Sequence, residues 1–210
     1  TTNITTWEQA VTAFESAKIY GRNVIVEKFI TGFDFRILVI NYKFICAALR
    51  TPAAVKGDGI NNIQYLIDEV NKDPRRGYGH EKVLTQITVD GSTMKMLDEK
   101  SYTLETIPPK GELVLLKTTA NLSTGGTSED VTDEVHPANI VMCERIAKII
   151  GLDICGIDIM ASNLQTPVSE NGGAILEVNA APGFRMHIEP AEGLPRNVAE
   201  PVIDMLFPDK

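Results

Sequence analysis

Asp158 interrupts the otherwise apolar run Ile157-Asp158-Ile159-Met160, and Glu177 and Asn179 stand two apart in Leu176-Glu177-Val178-Asn179. On a strand, residues two apart project from the same face. Carboxylates and a carboxamide are hard oxygen donors, the kind Mg2+ takes together with phosphate oxygens and water. If the two runs are neighbouring strands, Asp158 stands beside Glu177 and Asn179, and the carboxylates repel unless a cation joins them. The same alternation also fits three outward polar positions on a half-exposed sheet. Ala180-Ala181-Pro182-Gly183, small and turn-forming, favours a strand that feeds a functional loop.

A second group comprises Glu27, Lys28, Phe29 and Ile30, then Asp34, Arg36 and Arg50. Asp34 and Arg36 share a face by the period of two. An acidic side chain here can accept hydrogen bonds from a ribose diol, and arginines bind phosphate oxygens bidentately. The plainer account is a cross-strand ion pair on a solvated sheet, which is worth little. A third group is Asn121-Leu122-Ser123-Thr124-Gly125-Gly126, where small residues with free amides can form an anion-holding nest. Any surface turn looks similar. Finally, Lys72, Arg75, Arg76, His80 and Lys82 crowd a glycine-rich loop. They would either attract an acidic polymer or form a solvated, mobile tip.

The elements that must position these groups follow from periodicity. Thr6 and Gln9 make a capping box for a helix over 7–17, which Gly21 stops. Residues 23–30 are β-branched and read as a strand. Runs over 33–40 and 43–49, separated by Asn41-Tyr42, predict an antiparallel hairpin. Residues 61–71 carry a helical apolar face. Glycines and prolines break the rest of 51–117 into short pieces, up to a strand over 112–118. A helix over 136–150 opens with Pro137 and ends at Gly151. Strands over 154–161 and 174–179 and a closing helix over 194–206 complete an α+β chain. Its core comprises 1–50 and 112–210, with 51–111 inserted as a lid.

The 210 residues are 43% hydrophobic and carry 28 acidic against 20 basic side chains, a net charge of −8. That balance argues against nucleic acid as a partner. No apolar run reaches the ~18–20 residues of a membrane span, so the expectation is a soluble chain with no membrane partner. Three scattered cysteines without a CxxC pair suggest a reduced, cytoplasmic setting and no zinc site. No Ser–His–Asp or Cys–His arrangement is present.

Gly32-Phe33-Asp34-Phe35-Arg36, Arg50-Thr51-Pro52, Asn121 to Gly126, Gly156-Ile157-Asp158 and Leu176 to Asn179 follow one another in an order that resembles the ATP-grasp superfamily of carboxylate–amine ligases, bacterial glutathione synthetase among them. Val24 to Phe29, Lys56 to Gly59, Asp73 to Glu81, His136-Pro137 and Asn179 to His187 resemble more closely the ATP-grasp region of the cyanophycin synthetase family. The likeness covers nearly the whole chain. It implies the C-terminal part of an ATP-grasp fold, with ATP and Mg2+ as cofactors. Glu27, Lys28, Phe29 and Ile30 would form the adenine hinge and Asp34 would take the ribose. Asp158, Glu177 and Asn179 would hold the metal. Arg36 and Arg50 would act at the phosphates and the acyl phosphate. Asn121, Ser123, Thr124, Gly125, Gly126 and Arg185 would contact the acceptor's carboxylates.

The implied reaction forms an acyl phosphate from a carboxylate and ATP, then an amide, and adds aspartate to a poly-aspartate primer. The implied partners are that acidic primer and an amino acid. A different ATP-grasp ligase, a non-catalytic nucleotide-binding module and a purely structural domain are the alternatives. The phosphate-binding lysines and glycine-rich loop expected before the hinge have no counterpart upstream of Glu27. The chain therefore reads as a piece of a larger ligase, weakly active alone. The sequence does not fix the oligomeric state, and a homo-oligomer stays open.

Overall fold

The computed structural model describes residues 4–79 and 81–208; His80 of the basic loop lies outside them. At the expected hairpin, Asn41 and Tyr42 adopt left-handed backbone with φ of 52° and 58°. Two such residues match the twist of flanking antiparallel strands. They join β1 (Phe33–Ile40) to β2 (Lys43–Thr51). Helix α1 (Trp7–Lys18) precedes them, and β3 (Ala54–Lys56), α2 (Ile63–Asn71), β4 (Arg76–Gly77) and β5 (Leu84–Thr85) follow. Next come α3 (Gly91–Asp98), β6 (Leu113–Leu115), β7 (Thr127–Asp130) and α4 (Pro137–Ile150). The chain continues through β8 (Ile154–Ala161), β9 (Ala174–Asn179), α5 (Arg185–Ile188) and α6 (Ala199–Leu206).

Five strands form one antiparallel sheet in the order β7-β2-β1-β8-β9. Alternation gives it one fully apolar face. Phe35, Ile37, Val39, Ala47, Cys155, Ile157 and Ile159 pack there against Cys143 and Ala147 of α4. Each fully buried isoleucine contributes roughly 1.5–3 kcal/mol. Pro137 starts α4 and Gly151, at φ 77°, ends it, as the sequence predicts. The opposite face is divided. At one end Leu38, Ile40 and Cys46 pack against Val198 and against Val202 and Met205 of α6. At the other end the row is charged.

Residues 53–116 carry a separate apolar cluster of Val55, Ile63, Ile67, Ile87, Leu97, Val114 and Leu116. It is held by α2, α3 and the β3–β6 pair. Helix α3, capped by Asp90 and Thr93, is absent from the sequence expectation.

The strand expected over 23–30 does not form. Ile25 and Val26 are 81% and 85% exposed, and the segment makes no ladder among the described residues. β-Branched composition favours extended backbone, but a strand exists only where a partner takes its amides. Helix α1 has the expected capping box yet buries no residue, and Ile19 rather than Gly21 caps its end. The closing helix starts at Ala199, not 194. Arg196 is tied elsewhere: its amide donates to the His187 carbonyl and its guanidinium to Asp130 and Asp133. Among the described residues no helix is long and apolar enough to cross a membrane.

Candidate functional site

Strand register assembles the charged half of the divided face. Asp34 lies opposite Arg50, and Arg36 opposite Asp158. Arg36 donates bidentately to Asp158, from Nε to Oδ1 and from Nη2 to Oδ2 at 3.0 Å. Arg50 Nη2 donates to Asp158 Oδ2 at 2.9 Å and to Asp34 Oδ1 at 2.5 Å, and its Nε reaches the same Asp34 oxygen at 3.0 Å. Arg36, Arg50 and Asp158 are buried, so this is no solvated surface pair. Burial pushes the Asp34 carboxyl above its usual range despite the Arg50 guanidinium beside it. Burial opposes charge on Arg50 as well, but Asp34 and Asp158 hold its proton more firmly than usual.

On the next strand Glu177 lies opposite Asp158, and Asn179 opposite Gly156, all on the charged face. Asn179 Nδ2 donates to Glu177 Oε1 at 3.0 Å, and Glu177 is exposed. Two carboxylates and a carboxamide oxygen on adjacent strands are hard donors, the kind a divalent cation takes. Asp158 would share its oxygens between that cation and the two guanidiniums. Among the described residues no three or more His, Cys, Asp or Glu side chains converge on a point; the third donor here is an asparagine.

Other expected positions differ from the sequence reading. The Gly125 and Gly126 amides are not free: they donate to the carbonyls of Leu122 and Asn121. Gly125 closes the turn at φ 95°, and a Cβ on Gly126 would lie 2.8 Å from the carbonyls of Asn121 and Thr51. These glycines answer to close packing. Asn121 and Ser123 are exposed, and Thr124 Oγ1 donates to the Asn121 carbonyl. Glu27, Lys28 and Phe29 are exposed and Ile30 is half-buried in the unpaired segment before β1. Arg185, at the start of α5, donates to the Lys82 carbonyl at 3.0 Å.

Lys72, Arg75 and Lys82 of the basic loop are exposed, and each has a partner among the described residues. Lys72 pairs with Glu69, Arg75 with Asp73, and Lys82 bonds the Pro74 carbonyl. Arg76 is buried. The short parallel pairing of β4 with β5 pinches the loop and draws Arg76 inward.

His187 was not foreseen. The residue is 2% exposed, and its Nε2 has no hydrogen-bond partner among the described residues. Burial, and then the positive charges of Arg36 and Arg50, pull its pKa down to about 4, against the opposing pull of Asp130. Only its sequence neighbourhood after Pro182-Gly183 hinted at a role. The three cysteines are buried and free, and burial pushes the Cys46 and Cys143 thiols up to about 12.

The mixed α/β chain, with its antiparallel sheet, has an ATP-grasp fold. A bifunctional glutathione synthetase from Pasteurella multocida has the same fold with a TM-score of 0.76 and 33% identity, over 99% of this chain and 28% of that one. In sequence the chain is similar to part of cyanophycin synthetases. It is 51% identical to that of Trichormus variabilis over 100% of this chain and 23% of the relative. It is 53% identical to that of Crocosphaera subtropica over 99% of this chain and 24% of the relative. The glutathione biosynthesis bifunctional protein GshAB of Clostridium perfringens is 34% identical over 88% of this chain. The chain thus spans about a quarter of the length of the curated relatives it matches. No family model matches it.

Proposed function

We propose that the chain is the nucleotide- and metal-holding part of an ATP-dependent carboxylate–amine ligase that adds aspartate to a poly-aspartate backbone. The observation that carries this reading is the in-register meeting of Asp158, Glu177 and Asn179 with Arg36 and Arg50 on one sheet face. The 51% identity to cyanophycin synthetase supports it.

In this reading Glu27 to Ile30 border the adenine and Asp34 the ribose, while Asp158, Glu177 and Asn179 hold Mg2+. The bound nucleotide and ion supply the transferable phosphoryl group and its charge neutralisation. Arg36 and Arg50 stand where negative charge gathers as the acceptor carboxylate oxygen bonds to the γ-phosphorus and ADP leaves. The amine nitrogen then bonds to the acyl carbon, phosphate departs and the nitrogen loses a proton. Asn121, Ser123, Thr124, Gly125, Gly126 and Arg185 border the acceptor. Residues 51–111 act as the lid over this face. The tie between Arg76 and the Gly125 carbonyl supports that role.

Incubating the full-length protein with ATP, Mg2+, aspartate and a poly-aspartate primer should release ADP and lengthen the primer, and Asp158→Asn should stop both. A glutathione-synthetase-like ligase is the second reading, favoured by the fold likeness. Product formation from γ-glutamylcysteine and glycine, with none from aspartate, would establish that reading instead.

A further inference from the structure

After Asn179 the chain turns back across the charged face of the sheet. Pro182 lies over β8, where a Cβ on Gly156 would stand 2.9 Å from the Pro182 Cβ and 3.0 Å from Arg36 Nη1. Phe184 packs against the apolar cluster of Leu38 and Cys46. Further on, Ser128 Oγ of β7 donates to the Met186 carbonyl at 3.2 Å, and α5 packs on β2 and β7. Residues 182–188 thus roof the strands from β8 to β7. Within α5 only His187 is buried.

Under this roof the register lines up Asp130, Ala48, Arg36 and Asp158 in one row, and Ser128, Arg50 and Asp34 in the next. Glu129, opposite Leu49, belongs to the other face. Arg36, Asp130 and Arg50 all lie near enough to act on the His187 ring. Each carboxylate of the two rows is held by a guanidinium: Asp34 and Asp158 by Arg50 and Arg36, Asp130 by Arg196. The ring is not so held. Its Nε2 is the one buried side-chain polar atom without a hydrogen bond among the described residues. Such an atom is costly, and an apolar ring would fill the same space at less cost.

We propose that His187 is a positioning residue that balances charge behind Arg36 and Arg50: its ring takes a proton from solvent when a phosphoryl dianion settles on the two guanidiniums, and returns it when phosphate departs. The inference rests on the ligase reading, which puts those arginines at the transferring group. Without a ligand, burial and the two guanidiniums keep the ring neutral, with a pKa of about 4. A dianion on the guanidiniums offsets their repulsion and leaves the pull of Asp130 to act, so proton affinity rises. The ring then becomes a third cation beside the anion, and Nε2 a charged donor. Asp34, whose carboxyl burial also pushes up, sits on Arg50 in the neighbouring row. Its contribution is the same with and without the imidazole, so a His187 variant separates the two.

The chain has three histidines, so NMR of histidine-labelled protein resolves each ring, and His187→Gln assigns the signal that disappears. The ring is titrated alone, with inorganic phosphate, and with Mg2+ and the non-hydrolysable β,γ-imido analogue of ATP. Either ligand should raise its proton affinity at least about tenfold, one pKa unit. Calorimetry near pH 5.5 in buffers of different ionisation enthalpy gives a second measure. Binding of the analogue should take up about half a proton more in the parent than in His187→Gln. A ring that only fills space would move neither reading. If circular dichroism shows that His187→Gln does not fold, His80→Gln and His136→Asn assign the ring by elimination and the parent's titration decides. A bound ligand with the ring's titration unchanged overturns the proposal and leaves the ligase reading. A ring raised by phosphate in a chain that binds no nucleotide removes the ligase reading and leaves the anion-linked ring; failure of both ligands to bind removes both.

Discussion

Arg36 and Arg50 on the sheet and Arg76 in the inserted region are buried to nearly the same degree, 8%, 8% and 6% exposed. Their surroundings differ in kind. Strands in register present side chains to side chains, so the sheet arginines meet the carboxylates of Asp34 and Asp158. The two-residue pairing of β4 with β5 presents Arg76 to backbone: its hydrogen bonds go to carbonyls, and Asp73 supports its charge without pairing directly. A sheet closes its charge balance through direct pairs, whereas a pinched loop leaves Asp73 to support the charge without direct contact.

The largest break in that contrast should come from Asp158→Ala. It strands the buried Arg36 guanidinium and leaves Arg50 with Asp34 alone, and should cost about 3–5 kcal/mol of stability in chemical denaturation. His187 offers a test through pH, beside Arg36, Arg50 and Asp130. The unfolded imidazole binds its proton below about pH 6.5, whereas the folded one refuses it until about pH 4. Stability is therefore full above pH 6.5 and falls as the pH drops toward 4, by roughly 3 kcal/mol. His187→Gln should flatten that slope in denaturation curves taken across the range.

Arg76→Met removes a charge but frees only carbonyls, and should cost about 1–3 kcal/mol. If it proved as costly as Asp158→Ala, the distinction between the two regions would fail. Gly151→Ala sharpens the baseline: a Cβ there meets nothing within 4 Å, so only the left-handed backbone resists it, at about 1 kcal/mol. Arg75→Ala, at an exposed pair, should change the melting behaviour least, by under about 0.5 kcal/mol.

Much of the sheet was legible because a period of two carries both burial and chemistry. The bounds of β8 and β9 match the apolar runs, and the shared face of Asp158, Glu177 and Asn179 follows from the same alternation. The burial of the arginine network was not legible, since spacing says nothing of what covers a face. Strand β7, Thr-Ser-Glu-Asp, has no apolar alternation at all; it forms because the edge of β2 offers it a ladder. Residues 23–30 are the converse, strong in propensity but without a partner. The depth of Arg76 and the spent amides of Gly125 and Gly126 depend on contacts between distant segments, which local pattern does not encode.

Trp7 is the sole tryptophan and is 79% exposed on a helix that buries nothing. An indole already in water changes its emission little on unfolding, so fluorescence is nearly blind to melting of the sheet, whereas far-ultraviolet dichroism should show the transition.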